Sequence, residues 1–199
     1  MKFLYTLIVM VVFNACNLAE WNQKRLNKKF SRHGVEAYTY ENDSSSIHYY
    51  KGGSGPYLLL IHGFGGDAQV TWEKTILELA KNYTVIAPDL LWFGQSTSTK
   101  KPNLASQTTA LLDLLKALKV THCSIAGVSY GGFVTLGMVQ QKRMLFDKVC
   151  IIDSPGMTYS VALLDSMCQQ VGVDKPSDIF VPKNAAEVNR LFSFAFHKK

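Results

Sequence analysis

The sequence predicts an α/β fold: a mostly parallel sheet covered by helices on both faces. Two observations carry this. Between Tyr57 and Asp153, short apolar runs alternate with longer segments of helical spacing. The runs are apolar at successive positions rather than at every second one, so each strand should be buried on both sides.

The elements follow in order. EAYTYE and SIHYYK read as two aromatic-rich strands joined by a turn at NDSS, an antiparallel lead-in to the sheet. The loop GGSGP precedes YLLLIHG, Tyr57 to Gly63, an apolar strand ending in glycine. VTWEKTILELAKN has helical spacing through Trp72, Ile76, Leu79 and Ala80. YTVIAPD is the next strand, closed by Pro88, and a polar loop runs from Gly94 to about Pro102. LASQTTALLDLLKALKV is an amphipathic helix with Leu104, Thr108, Leu111, Leu115 and Leu118 on one stripe. THCSIAGV is a buried strand, YGGFVTLGMVQQK a helix and DKVCIID a further strand. After Pro155 the alternation stops: SVALLDSMCQQVGV and NAAEVNRLFSFAF read as helices with no strand between them.

Composition suits one globular domain: 199 residues, 47% hydrophobic and 18% charged. The net charge of +6 is concentrated locally. Lys24, Arg25, Lys28, Lys29 and Arg32 fall within nine residues, read here as a basic linker over residues 17–34. That cluster is either solvated or a patch that touches anionic lipid. No nucleic-acid-binding motif accompanies it, so no nucleic-acid partner is expected. The first sixteen residues hold one lysine and then an apolar run from Phe3 to Phe13, short for a membrane span and suited to a signal-peptide core. Ala15-Cys16 is similar to a bacterial lipoprotein cleavage and lipid-attachment site. The expectation is export or membrane anchoring, in the periplasm or cell envelope if Cys16 is lipidated. An uncleaved signal anchor with the chain on the cytoplasmic face is the alternative. Cys123 and Cys150 lie in apolar strand-like runs, where free cysteine behaves as a small buried hydrophobe. Cysteine and histidine spacings are too wide for a metal site, and no cofactor is expected.

Three stretches carry the chemistry. Gly127-Val128-Ser129-Tyr130-Gly131 fits G-x-S-x-G at a strand-to-helix turn. A serine there is forced into a strained backbone that lifts its hydroxyl clear of the sheet, and residues two positions away must be small. His62-Gly63-Phe64-Gly65-Gly66 ends an earlier strand, with glycines that let backbone N–H groups approach a ligand. Pro88-Asp89-Leu90-Leu91-Trp92-Phe93-Gly94-Gln95-Ser96 ends the strand after it. Loops at the carboxyl ends of parallel strands converge on the sheet edge where open α/β folds bind ligands.

HGFGG, PDLLWFGQS and GVSYGG, in this order and spacing, resemble the α/β-hydrolase family, over about Val35 to Gly156. The resemblance is closest to its cap-bearing esterase, lipase and carbon–carbon hydrolase branch. It implies Ser129 as acyl nucleophile, with the backbone N–H groups of Phe64 and Tyr130 as oxyanion hole. His62 is implied as a structural loop residue, and Asp89 and Ser96 as braces of the following turn. Trp92, Phe93 and Tyr130 either line an apolar acyl pocket or serve as packing. Epoxide hydrolases and dehalogenases of this fold use aspartate as nucleophile, and Ser129 argues against both. The implied substrate is a small apolar ester or similar acyl compound.

In this family the order is serine, acid, histidine. Asp153 ends the strand after the elbow helix, a position that supplies the acid in some relatives. Asp165, Asp174 and Asp178 fall in a cap-like stretch. The only histidine after Ser129 is His197, on a helix-like segment rather than after a strand, so it is not expected as base. The division expected is a signal segment over 1–16, the linker, the amino-terminal part of the hydrolase core over 35–156 and a partial helical cap over 157–199. The last strands, the base and, unless Asp153 supplies it, the acid are expected to be missing by carboxyl-terminal truncation. An inactive form, or a binder of hydrophobic ligands, is the competing reading, and no partner chain is indicated.

Overall fold

The computed structural model describes residues 21–156 and 160–195. They form two compact units, divided after Ser154. The expected signal segment over 1–16 lies outside the described residues.

The first unit opens with helix α1, residues 21–31. It is followed by β1 (Val35–Asn42), β2 (Ser45–Gly52), β3 (Tyr57–Ile61), α2 (Ala68–Leu79) and β4 (Thr84–Pro88). Then come β5 (Thr97–Ser98), α3 (Leu104–Ala117), β6 (Cys123–Val128), α4 (Tyr130–Gln141) and β7 (Phe146–Ile152). The sheet order is β1-β2-β4-β3-β6-β7. β1, β2 and β4 pair antiparallel, while β4, β3, β6 and β7 pair parallel.

Side-chain alternation explains why both faces are covered. Leu59 and Ile61 point into a core with Leu111, Leu114, Val134 and Met138 of α3 and α4. Leu58 and Leu60 point the other way, toward Phe30 of α1 and Trp72 and Ile76 of α2. Each fully buried Leu or Ile contributes about 1.5–3 kcal/mol by leaving water. Side-chain caps start the helices: Asp67 accepts from the N–H of Val70 at 2.7 Å, and Asn103 from that of Ser106 at 2.8 Å.

Three expectations are corrected. The stretch read as a basic linker is helical over residues 21–31 and belongs to the core, with Leu26 and Phe30 buried. The cations had masked a two-residue apolar stripe spaced i, i+4. The loop after Gly94 contains β5, which pairs with the start of β2. Cys150 is exposed rather than buried, as are residues 147–149 beside it on the outermost described strand; Cys123 is buried as expected.

The second unit holds α5 (Val161–Val171), α6 (Pro176–Phe180) and α7 (Ala185–Ala195). Ser160 caps α5, accepting from the N–H of Leu163 at 3.2 Å, and Gly172 ends it at φ 72°.

Candidate active site

Ser129 occupies the turn between β6 and α4 with φ 53° and ψ −120°, a left-handed conformation that a non-glycine residue adopts only under strain. The turn is held from both sides. The Ser129 N–H donates to the carbonyl of Ile152 at 2.9 Å, and the N–H of Gly132 donates to the Ser129 carbonyl at 2.9 Å. The flanking glycines are needed for space. A Cβ on Gly127 would overlap the Gly131 carbonyl and the Thr135 hydroxyl. A Cβ on Gly131 would overlap the carbonyl oxygens of Ile61 and His62. The result is an exposed serine at the amino end of α4, where the helix dipole favours negative charge.

The loop after β3 passes directly over this serine. A Cβ on Gly63 would stand 3.2 Å from the Ser129 Cβ and 3.8 Å from its Oγ. Gly65 takes φ 76°, which turns the loop toward α2. Tyr130 opens α4, so its N–H is one of the first-turn amides without an intrahelical acceptor. Among the described residues no turn or loop hydrogen bond uses the N–H of Phe64. The rings of Phe64 and Phe93 meet edge-on at 5.3 Å, and Phe93 and Tyr130 lie 6.5 Å apart, beside Ser129. Burial raises the Tyr130 phenol pKa, with a hydrogen bond to Gln107 opposing it, so the ring stays neutral.

His62 fixes the loop. Its Nδ1 donates to the Gly63 carbonyl at 2.7 Å, and its Nε2 accepts from the N–H of Leu90 at 2.8 Å. Those bonds define a neutral imidazole. Burial lowers its pKa, against the opposing effects of the Gly63 carbonyl and the Asp89 charge. The loop after β4 is organised around Asp89, which accepts from the N–H of Ala68 at 2.8 Å, the N–H of Gln95 at 3.0 Å and His48 Nδ1 at 2.9 Å. Burial raises the Asp89 pKa, but His48 and the two amides outweigh that and hold it below the ordinary carboxylate value. Ser96 Oγ donates to the Asp89 carbonyl at 2.8 Å and accepts from the N–H of His48 at 3.0 Å. His48 was not singled out in the sequence. Its signal was a histidine within SIHYYK, a strand buried at every position from Ile47 to Tyr50.

Ser129 and Asp153 end adjacent parallel strands, since Val128 and Ile152 are register partners. Asp153 takes φ 46° and is exposed. No hydrogen bond joins its carboxylate to another described residue, and none joins Ser129 Oγ to one of the four described histidines. His48 and His62 have both ring nitrogens engaged. The His33 Nδ1 bonds the Lys29 carbonyl on α1, and His122 pairs with Asp147 at 3.3 Å at the opposite sheet edge. That edge also carries an open groove of about 500 Å³ lined by Thr121, His122 and residues 141–145, remote from the serine. Asp165, Asp174 and Asp178 lie in the second unit, and His197 lies outside the described residues. Among the described residues no cluster of His, Cys, Asp and Glu could hold a metal ion.

A family model described as the alpha/beta hydrolase fold matches residues 56–172, which include all three loops. The chain belongs to the α/β hydrolase fold family. An uncharacterised protein of Mycobacterium tuberculosis is 38% identical over 113 residues, 56% of this chain and 33% of that one. An epoxide hydrolase of Caballeronia sordidicola is 32% identical over 102 residues, 49% of this chain and 31% of that one. The matched stretch thus spans about a third of these relatives. The crystal structure of a bacterial membrane phospholipase A is similar in fold, with TM-score 0.71 and 24% identity over 100% of this chain and 66% of that one.

Proposed function

We propose that the protein is a serine hydrolase that cleaves a carboxylic ester or similar acyl bond through an acyl-enzyme on Ser129. The supporting observation is the exposed Ser129 held at φ 53° beneath the loop that carries Gly63 and Phe64. Ser129 Oγ attacks the acyl carbon and its proton passes to a histidine base. The carbonyl oxygen becomes an oxyanion that accepts from the N–H groups of Tyr130 and Phe64, one such donor being worth roughly 10²–10³ in rate. The leaving alcohol departs with a proton from the base, and water then releases the acid. Phe64, Phe93 and Tyr130 supply an apolar wall for a small acyl group. The base comes from outside the described residues, and Asp153 is the acid candidate within them. A serine in place of the aspartate implied for epoxide hydrolases favours acyl chemistry over epoxide opening.

Incubating a form of the protein that carries the histidine base with a fluorophosphonate probe tests this. The expected result is one adduct on Ser129, lost in Ser129→Ala; an unlabelled Ser129 overturns the reading. Hydrolysis of short p-nitrophenyl esters, with Ser129→Ala as control, tests turnover by the 199 residues alone. Saturable binding of an apolar ligand with no Ser129-dependent turnover would favour the ligand-binding alternative.

A further inference from the structure

We propose that the outward face of α1 docks the first unit on an anionic lipid surface. At about 100° per residue, Trp21, Arg25, Lys28 and Arg32 fall in one narrow stripe along the helix and the turn that ends it. Gln23, Leu26 and Phe30 fall on the opposite side. The structure bears this division out. Leu26 and Phe30 are buried, at 3% and 1% exposure, while Trp21 is 61% exposed; Arg25, Lys28 and Arg32 are exposed too. Gln23 reaches inward to Gln69 at 2.6 Å, and Asn27 accepts from Gln69 at 2.9 Å. Lys29, off the stripe, is drawn to Glu73 at 2.7 Å. No salt bridge among the described residues neutralises Arg25, Lys28 or Arg32, and residues 21–34 contain no acid.

The buried contacts fix the stripe facing outward. A cationic row with a tryptophan at one end matches a bilayer of anionic headgroups, where basic side chains gain Coulomb energy and an amphipathic indole settles at the interface. The orientation follows from the same contacts. Gln23 meets Gln69 and Lys29 meets Glu73, so α1 and α2 run in the same direction. The start of α2 lies just past the loop over Ser129, so the Trp21 end of α1 lies at the sheet edge that carries the nucleophile. Docking would hold that edge near the lipid. The apolar run from Phe3 to Phe13 lies immediately upstream. Docking by the stripe is separable from anything that run does, because it depends on charge.

Vesicle sedimentation tests the proposal without reference to catalysis. The full chain should bind phosphatidylglycerol-containing vesicles and lose that binding steeply as salt rises. It should bind pure phosphatidylcholine vesicles far more weakly. The variant Arg25→Gln, Lys28→Gln, Arg32→Gln changes only exposed positions, and its fold is checked by circular dichroism. It should bind anionic vesicles about a hundredfold more weakly, at roughly fivefold per cation, with unchanged binding to phosphatidylcholine. The emission of Trp21 should shift blue on anionic vesicles and the shift should vanish in Trp21→Leu. Salt-insensitive binding, or a triple variant that binds as tightly as the parent, overturns the proposal, and so does a preference for duplex DNA over anionic vesicles. The salt titration of the unaltered chain decides even if the variant fails to fold.

Discussion

His62 links two loops with one neutral ring, and its acidity has a thermodynamic consequence. An unfolded imidazole takes up a proton near pH 6.5, whereas the folded His62 does so only at lower pH because it is buried. The unfolded chain therefore binds more protons between those two values. The stability due to neutral His62 is complete above about pH 6.5 and is lost as pH falls below it. Protonation would also remove the acceptor for the Leu90 N–H. The melting temperature should fall between pH 7 and pH 5, and His62→Gln should flatten that slope. An unchanged slope would mean His62 does not contribute. Asp89 adds a second loss in stronger acid. Its contribution is present above about pH 3.9 and disappears as pH falls through its depressed folded value.

Helix α1 shows what element-scale reading caught and what it missed. The alternation of apolar runs and helical spacing was legible because strands buried on both faces leave no polar positions. The only apolar residues on the inward face of α1 are Leu26 and Phe30, set among four cations with Arg32 just beyond, and that pattern resembles a solvated segment. Its stability comes from tertiary burial rather than from propensity. Phe30→Ala should therefore cost about 3–5 kcal/mol in urea unfolding, the size expected for a core position; a change near zero would return this stretch to the status of a linker. The three loop motifs were legible for a different reason. G-x-S-x-G and HGFGG are steric signatures, written in glycines whose missing Cβ atoms make room for carbonyls and for Ser129. The bracing role of His48 was less visible, because it depends on pairing between β2 and β4 that no local pattern encodes.

At the scale of the whole molecule, the sheet order places β3 between β4 and β6, which gathers the three loops at one edge. The same order leaves β7 outermost among the described strands, with Val149 41% exposed and Cys150 open to solvent. Cys123 is one strand inward, and burial pushes its thiol up to about 12. In a Cys16→Ser, Cys168→Ser background, a disulfide-exchange reagent should modify Cys150 quickly in the native protein and Cys123 only on unfolding. Fast modification that survives Cys150→Ser would contradict this arrangement. The strand order itself could not be read from periodicity, since a parallel strand looks alike at any interior position.

The backbone at Ser129 has a measurable cost. A left-handed serine at φ 53° costs roughly 1–3 kcal/mol that glycine would largely avoid. Ser129→Gly should therefore melt higher than Ser129→Ala, and equal melting would show the turn to be relaxed. Under the acyl chemistry proposed for Ser129, that cost in stability is what the fold gives up to present the hydroxyl.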